Sequence, residues 1–411
     1  MPDAARPHIL FMHSHNSGQY VQPYGHPVPT PNLQRLAEEG VSFRRAFAAA
    51  PTCSPSRAAF LTGMWAHSTG LLGLAHRGFR MTDYGPHLAR QLKAHGYETV
   101  LSGVEHTAPD VGEVGYDRIL SGSDTNYPGQ DQSRDPAAAA AEYLRQAGDR
   151  PFFINLGLNE THRPFPEADP PGHPAEDPRY CRAPRPLPDA PETRADFADY
   201  RAAARTMDQS YGAVLGALEE TGLAARTLVF CFTDHGLQFP RNMCNLTDHG
   251  IAVYLVARGP GGFEGGRVVD ALVSLVDLAP TVYEAIGAGV PAHVQGRSLG
   301  PLVRGEVERL HEEVFAEVTY HAAYEPMRCV RTERHKYIRR YDGRERAVLP
   351  NTDDTPSKAY LLARGLAEQP RDQEMLYDLI FDPDEADNRA GDPRLGGVLT
   401  DLRGRLERWM R

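Results

Sequence analysis

Short apolar runs that end in polar, histidine-bearing tips recur along the first two thirds of the chain. Residues 9–12 lead into His13-Ser14-His15-Asn16-Ser17-Gly18, and residues 99–101 into Gly103-Val104-Glu105-His106. Residues 151–158 lead into Glu160-Thr161-His162-Arg163-Pro164, and residues 227–232 into Thr233-Asp234-His235-Gly236. Continuous apolar runs this short fit strands buried on both faces of a parallel sheet. In open α/β sheets ligands collect at the carboxyl ends of the strands, so each tip is a candidate site by position. Between the runs the pattern predicts helices. Thr30 caps, Pro31 starts and Gly40 ends one over 30–40, and 86–95, 193–220 (with room for an interruption) and 268–286 give others. Ala137 to Ala141, just after Pro136, read as an Ala-rich helix start, and 252–256 as a further strand. The Pro-, Asp- and Glu-rich stretch 163–190 is expected to be a long surface loop.

After about residue 305 the texture changes. Residues 314–318 and 327–339 read as strands and 395–410 as an amphipathic helix. The expectation is therefore an α/β fold: a mostly parallel sheet flanked by helices over 1–305, with a smaller C-terminal α+β subdomain over 306–411. No internal repeat is visible.

Composition narrows the function. A chain of 411 residues that is 41% hydrophobic can bury a large core. Its net charge of −10, without a long basic run, argues against a nucleic-acid partner. The five cysteines (Cys53, Cys181, Cys231, Cys244 and Cys329) are odd in number and scattered, with no Cys-x-x-Cys pair, so they suggest neither a disulfide framework nor a zinc knuckle. The N-terminus lacks the apolar core of a signal peptide, and no apolar segment is long enough to span a bilayer. A cytoplasmic protein without a membrane partner is the expectation.

The chemistry centres on Pro51-Thr52-Cys53-Ser54-Pro55-Ser56-Arg57, continued by Ala58-Ala59-Phe60-Leu61-Thr62-Gly63. Ser54 and Ser56 suit a helix start, Pro55 the first helical position, and Gly63 the close. Cys53 would then sit at the positive end of the helix dipole, with Arg57 one turn on to bind an oxyanion. A lone Cys can equally be a small buried hydrophobe, or a plain thiol nucleophile.

The string Cys-x-Pro-Ser-Arg followed by Leu-Thr-Gly resembles the signature of the type I sulfatases, a branch of the alkaline phosphatase superfamily. The resemblance runs on in order through Gly70-Leu71-Leu72-Gly73-Leu74, Phe239-Pro240 and Asn245-Leu246. It continues in Tyr324-Glu325-Pro326-Met327-Arg328-Cys329-Val330-Arg331, Glu374-Met375-Leu376-Tyr377-Asp378 and Asp382-Pro383-Asp384-Glu385, which are similar to the sulfamidase branch. It implies an alkaline-phosphatase-like fold and hydrolysis of a sulfate ester or N-sulfo group on a small substrate. It also implies that Cys53 is converted to formylglycine by a formylglycine-generating enzyme, and that the hydrate attacks sulfur.

Four metal positions follow from the resemblance: His15 and Asn16, where the family usually has Asp-Asp, and Asp234 with His235. Calcium is the family's ion, but imidazole at position 15 suits a transition metal better. Arg57, His106 and His162 match sulfate-handling and proton-transferring groups. Arg241 could replace a family cation where Met243 aligns, and His321 and Arg328 could reach the substrate from the second subdomain. Glu105 stands where many members have Lys. With two acids and two cations missing, a transferase of sulfuryl or sulfamoyl groups, or a catalytically silent binding protein, are the alternatives to hydrolysis.

Overall fold

The computed structural model describes residues 6–122, 135–165 and 176–411. Nine strands make the main sheet: β1 (His8–Ser14), β2 (Val41–Phe47), β3 (Glu98–Gly103), β4 (Arg118–Ser121), β5 (Phe152–Gly157), β6 (Thr227–Thr233), β7 (Ala252–Val253), β8 (Leu255–Arg258) and β9 (Arg267–Ser274). Their order is β4-β3-β5-β1-β6-β8-β2-β7, with β9 also along β2. From β4 to β6 every pairing is parallel, and β8 runs antiparallel between β6 and β2. The four strands that carry the histidine-bearing tips are thus neighbours, in the order β3-β5-β1-β6, and their carboxyl ends open side by side.

Side-chain alternation builds the layers. Ile9 and Phe11 of β1, with Leu228, Phe230 and Phe232 of β6, face the helices Cys53–Thr62, Leu88–Ala94 and Leu278–Ala285. Leu10 and Met12, with Val229 and Cys231, face the helices Pro31–Glu39, Pro136–Gln146 and Pro191–Glu220 on the other side. Phe11 is the aromatic centre of the first layer, edge-on to Phe60, Phe153, Phe230 and Phe232 at ring separations of 5.4–6.4 Å.

A second sheet, β10 (Glu313–Tyr320), β11 (Tyr324–Thr332), β12 (His335–Arg340) and β13 (Glu374–Asp378), is antiparallel throughout. One face packs on Phe47, Leu246, Ile251 and Leu272 of the main unit, and the other on the C-terminal helix Gly396–Trp409 through Leu402 and Leu406. Between the two units Lys336, fully buried, reaches Asp248 and lies 3.0 Å from Glu385, while Arg331 lies 3.2 Å from the second oxygen of Asp248.

The chain departs from its sequence pattern at several elements. Residues 267–274 are not helical. The β-branched Val268, Val269 and Val273 run beside β2, and only Leu278–Ala285 forms a helix. The stretch 327–339 is two strands joined at the Thr332–His335 turn, not one. The helix over 191–220 is continuous for 30 residues. The Cys53 helix begins at Cys53 itself with Thr52 as N-cap, so Pro55 is third in the helix, still within the first turn where its missing N–H costs no bond. Of the expected loop 163–190, residues 166–175 lie outside the described residues, and the rest carries one 3-10 turn, Pro178–Tyr180.

Two outcomes are expected from this packing. Phe11→Ala, which empties the aromatic centre, lowers stability by about 3–5 kcal/mol in urea unfolding monitored by fluorescence. Burial, aided by the charge of Asp248, raises the Glu385 carboxyl to about 7 against the pull of Lys336. A carboxyl raised on folding stabilises fully below its unfolded value near 4.5, and that contribution is lost as pH rises through about 7. Glu385→Gln should flatten the fall of the melting temperature between pH 5 and 8.

Candidate active site

Asp234 follows the last residue of β6 and is fully buried. One carboxylate oxygen accepts the backbone N–H groups of Asn16 and His235, each at 2.9 Å. The other accepts from Arg57 at 3.0 Å and lies 3.4 Å from His15 Nε2. Burial opposes ionisation, but His235, Arg57 and the Asn16 N–H together hold the carboxyl below its usual range. Arg57, also fully buried, reaches His13 Nδ1 at 3.2 Å and donates to the Val104 carbonyl at 3.3 Å, so one guanidinium ties the tips of β1, β3 and β6 together. His13 is satisfied on its other side by Asn155 Oδ1 at 2.8 Å and has a structural role.

Cys53 enters this cluster from the first turn of its helix. Its Sγ is 3.3 Å from His235 Nε2 and 3.8 Å from Asn16 Oδ1. Ser56, one turn along, donates to the Asp234 carbonyl at 2.5 Å, and Cys244 N–H donates to the Pro51 carbonyl at 3.1 Å, clamping the helix start. His235 Nδ1 donates to the Gly236 carbonyl at 3.0 Å, which leaves the Nε2 lone pair directed at position 53. Gly236 lets the 249–250 backbone pack against the residue after His235, because a Cβ there would stand 2.3 Å from the His249 carbonyl oxygen.

His15, Asp234, His235 and Cys53 present ligand atoms that all lie within 4.8 Å of one another, every residue buried. Among the described residues neither ring nitrogen of His15 has a hydrogen-bond partner, although the side chain is buried. Such an orphaned imidazole beside a carboxylate fits a metal ligand, since an unpartnered buried polar group is costly. Burial first, then neighbouring His162, Arg57, His106 and His235, lowers the His15 pKa well below its ordinary value, and burial also lowers that of His235 against the pull of Asp234. Both rings are thereby kept in the neutral form that ligates.

The remaining expected residues divide. The His162 ring lies 4.4 Å from that of His15, and the His106 ring 6.1 Å from it. His106 also meets His76, at 2.8 Å between ring nitrogens with the rings stacked, and its pKa is lowered by burial and by Arg57. His321 comes from the turn between β10 and β11. Burial, opposed by Asp353 and aided by His235, Arg77 and His162, takes its pKa to about 4. Arg241 and Arg328 are not brought in. Arg241 is exposed and donates to the Pro186 carbonyl, whereas Arg328 is paired by strand register with Glu317 and bonded to Val318, Met327 and Thr319. Glu105 accepts from Thr107 and lies 3.2 Å from His87, in place of any cation. Gln238 and Asp353 had no signal in the sequence, yet Gln238 bonds both Asn16 and Asp353.

Comparison with known proteins agrees with this geometry. The Sulfatase family model matches residues 9–288, and the model described as N-sulphoglucosamine sulphohydrolase, C-terminal, matches residues 234–365. The human N-sulphoglucosamine sulphohydrolase is 30% identical, over 93% of this chain and 85% of its own length. An ulvan-active sulfatase of Formosa agariphila is 28% identical, over 98% of this chain and 75% of its own. Among solved structures, one of a complex with its substrate D-glucosamine-2-N,6-O-disulfate superposes with a TM-score of 0.76 at 18% identity, covering 98% of this chain and 97% of that one. A 2-O GAG sulfatase gives 0.73 at 23% identity, covering 98% and 92%. With the Cys53 helix, the Asp234 cluster and these matches together, the chain belongs to the type I sulfatase family, hydrolases of sulfate esters and sulfamates, and is sulfamidase-like in its C-terminal part.

Proposed function

We propose that this enzyme hydrolyses the N-sulfo group of a small amino-sugar sulfamate, after conversion of Cys53 to formylglycine by a formylglycine-generating enzyme. The observation that carries the reading is the position of Cys53, 3.3 Å from His235 inside the buried Asp234–Arg57 cluster. The sulfamidase-type C-terminal match supports sulfamate over sulfate ester. Asp234, His15, His235 and Asn16 would hold a divalent cation. One carboxylate, two imidazoles and one amide oxygen suit zinc, iron or nickel better than calcium, which prefers an all-oxygen shell.

The charges explain why a cation belongs there. Arg57 is offset by Asp234, and burial keeps His15, His106 and His235 neutral, so the fixed groups offer an anionic sulfo group almost no net positive charge. When present, the formylglycine hydrate supplies an oxygen nucleophile for sulfur and the cation supplies the missing positive charge. Arg57 and the first-turn N–H groups of the Cys53 helix orient the sulfo oxygens. A sulfamate nitrogen must gain a proton to leave as an amine, and we assign that role to His162, whose ring lies 4.4 Å from that of His15.

Variants at Cys53, Arg57 and Asp234, with mass, metal and substrate measurements, test this. Purified from a host that converts such cysteines, the peptide carrying Cys53 should have the formylglycine mass, and the protein should hold one divalent transition-metal ion. N-sulfoglucosamine should be cleaved in preference to a simple sulfate ester, and Cys53→Ala should cut activity to background. An unconverted Cys53 from that host sinks the mechanism. Arg57→Lys, which loses the planar fork, should lower kcat about 10²–10³-fold. Asp234→Asn leaves Arg57 buried without its counter-charge and should cost about 3–5 kcal/mol in denaturant unfolding. In the same unfolding assay the double variant Arg57→Met, Asp234→Asn should lose less stability than the single variants Arg57→Met and Asp234→Asn combined.

A further inference from the structure

The second subdomain touches the centre of the site through one hydrogen-bonded chain. The Asp353 carboxylate, which can only accept, takes a hydrogen bond from the Gln238 side-chain amide at 2.7 Å. The Gln238 side-chain oxygen accepts from the backbone N–H of Arg163 at 2.8 Å and from the Asn16 side-chain amide at 2.8 Å. The Arg163 N–H can only donate and Asp353 can only accept, so the orientation of the Gln238 amide is set twice. Its oxygen must face residue 16, and residue 16 must answer with a donor. Asn16 therefore turns its NH2 to Gln238 and its Oδ1 toward Cys53, 3.8 Å from Sγ.

Both ends of the chain are held. Gln238 is buried, and its backbone carbonyl accepts from the Arg163 guanidinium at 3.1 Å. The Asp353 loop is pinned by Asn351, which accepts from the Ala323 N–H and donates to Glu325, and by Lys358, which donates to the Thr352 carbonyl. Asn16 itself has φ of +65°, in the left-handed region where Asn and Asp are both well tolerated. Backbone conformation thus does not choose between Asn and Asp at this position. The amide partner does.

We infer that Asp353 and Gln238 are positioning residues that fix Asn16 as an oxygen donor to the site's cation, and that they make Asn, rather than a carboxylate, the matched residue at position 16. The inference rests on the cation site proposed above and adds its dependence on the C-terminal subdomain. It has a counterintuitive consequence. Asn16→Asp adds a negative charge beside a divalent cation, which by charge alone should tighten binding. Facing the Gln238 oxygen, the new carboxylate would instead meet a second acceptor, and turning the Gln238 amide would strand the Arg163 N–H and oppose the Asp353 carboxylate.

The test is titration of chelator-stripped full-length protein with Co2+, read by calorimetry and by the visible d–d absorption of the bound ion, with thermal melts to establish folding. Gln238→Leu and Asp353→Leu should weaken Co2+ binding by about 10–100-fold, as loss of a partner behind a ligand does, and should alter the absorption spectrum. Asp353→Asn, whose amide oxygen can still accept from Gln238, should retain wild-type affinity and spectrum, a rescue that nonspecific loosening would not give. Asn16→Asp should bind more weakly than wild type, and adding Gln238→Leu to it should recover affinity. Should Asn16→Asp bind Co2+ as tightly as wild type or tighter, or should Gln238→Leu leave affinity and spectrum unchanged, the relay is overturned while the cation site stands. A wild-type protein that takes up no Co2+ overturns the cation site and the relay with it.

Discussion

A carboxylate with no exposure to water survives only if its charge and lone pairs are answered locally, and Asp234 is answered by three separate pieces of the chain. The β1 tip supplies the Asn16 N–H, the Cys53 helix supplies Arg57, and the residue after Asp234 supplies its own N–H. Each donor is held at about 3 Å, so the three pieces cannot shift independently without leaving a buried charge unpaired. That constraint seats the Cys53 helix against the strand ends, and it aims the Cys53 side chain at His235. The parallel order β3-β5-β1-β6 provides the frame, but the buried ion pair sets the spacing within it.

The same balance shapes the chemistry. A site with Arg57 already matched by Asp234 and with its imidazoles neutral has no surplus charge for an anionic group. It does have lone pairs: one ring nitrogen of His15, Nε2 of His235 and the amide oxygen of Asn16. Relative to the family pattern, imidazole at His15 and an amide at Asn16 stand where acids are usual, and Glu105 and Met243 stand where cations are usual. Soft or borderline donors thereby take the place of hard ones, with consequences for which ion is bound and how tightly the sulfo group is held.

Much of this was legible locally. Apolar runs bounded by polar tips located β1, β3, β5 and β6, because strands buried on both faces must be continuously apolar. The Cys53 string located the helix and its arginine within one turn. What failed depended on partners distant in sequence. β2 carries Arg44 and Arg45 in mid-strand and β9 is half exposed, so neither reads as a buried strand. Arg328 looked available to substrate, but β11 register places it opposite Glu317, which claims its guanidinium. Gln238 and Asp353 stand 115 residues apart, and only the folded loop after β12 brings them together. Position 16 was visible as a departure from the family pattern, whereas the reason for an amide there lies entirely in that contact.

The central claim is that the buried cluster around Asp234 is a cation-dependent sulfo-transfer centre and not merely a structural ion-pair core. Anomalous scattering from crystals of the active protein, collected on both sides of the absorption edge of its bound metal, tests it most directly. The account predicts one anomalous peak bounded by Asp234, His15, His235 and Asn16, next to the side chain at position 53. An active enzyme with no anomalous peak there, or with its only metal elsewhere in the molecule, would contradict it.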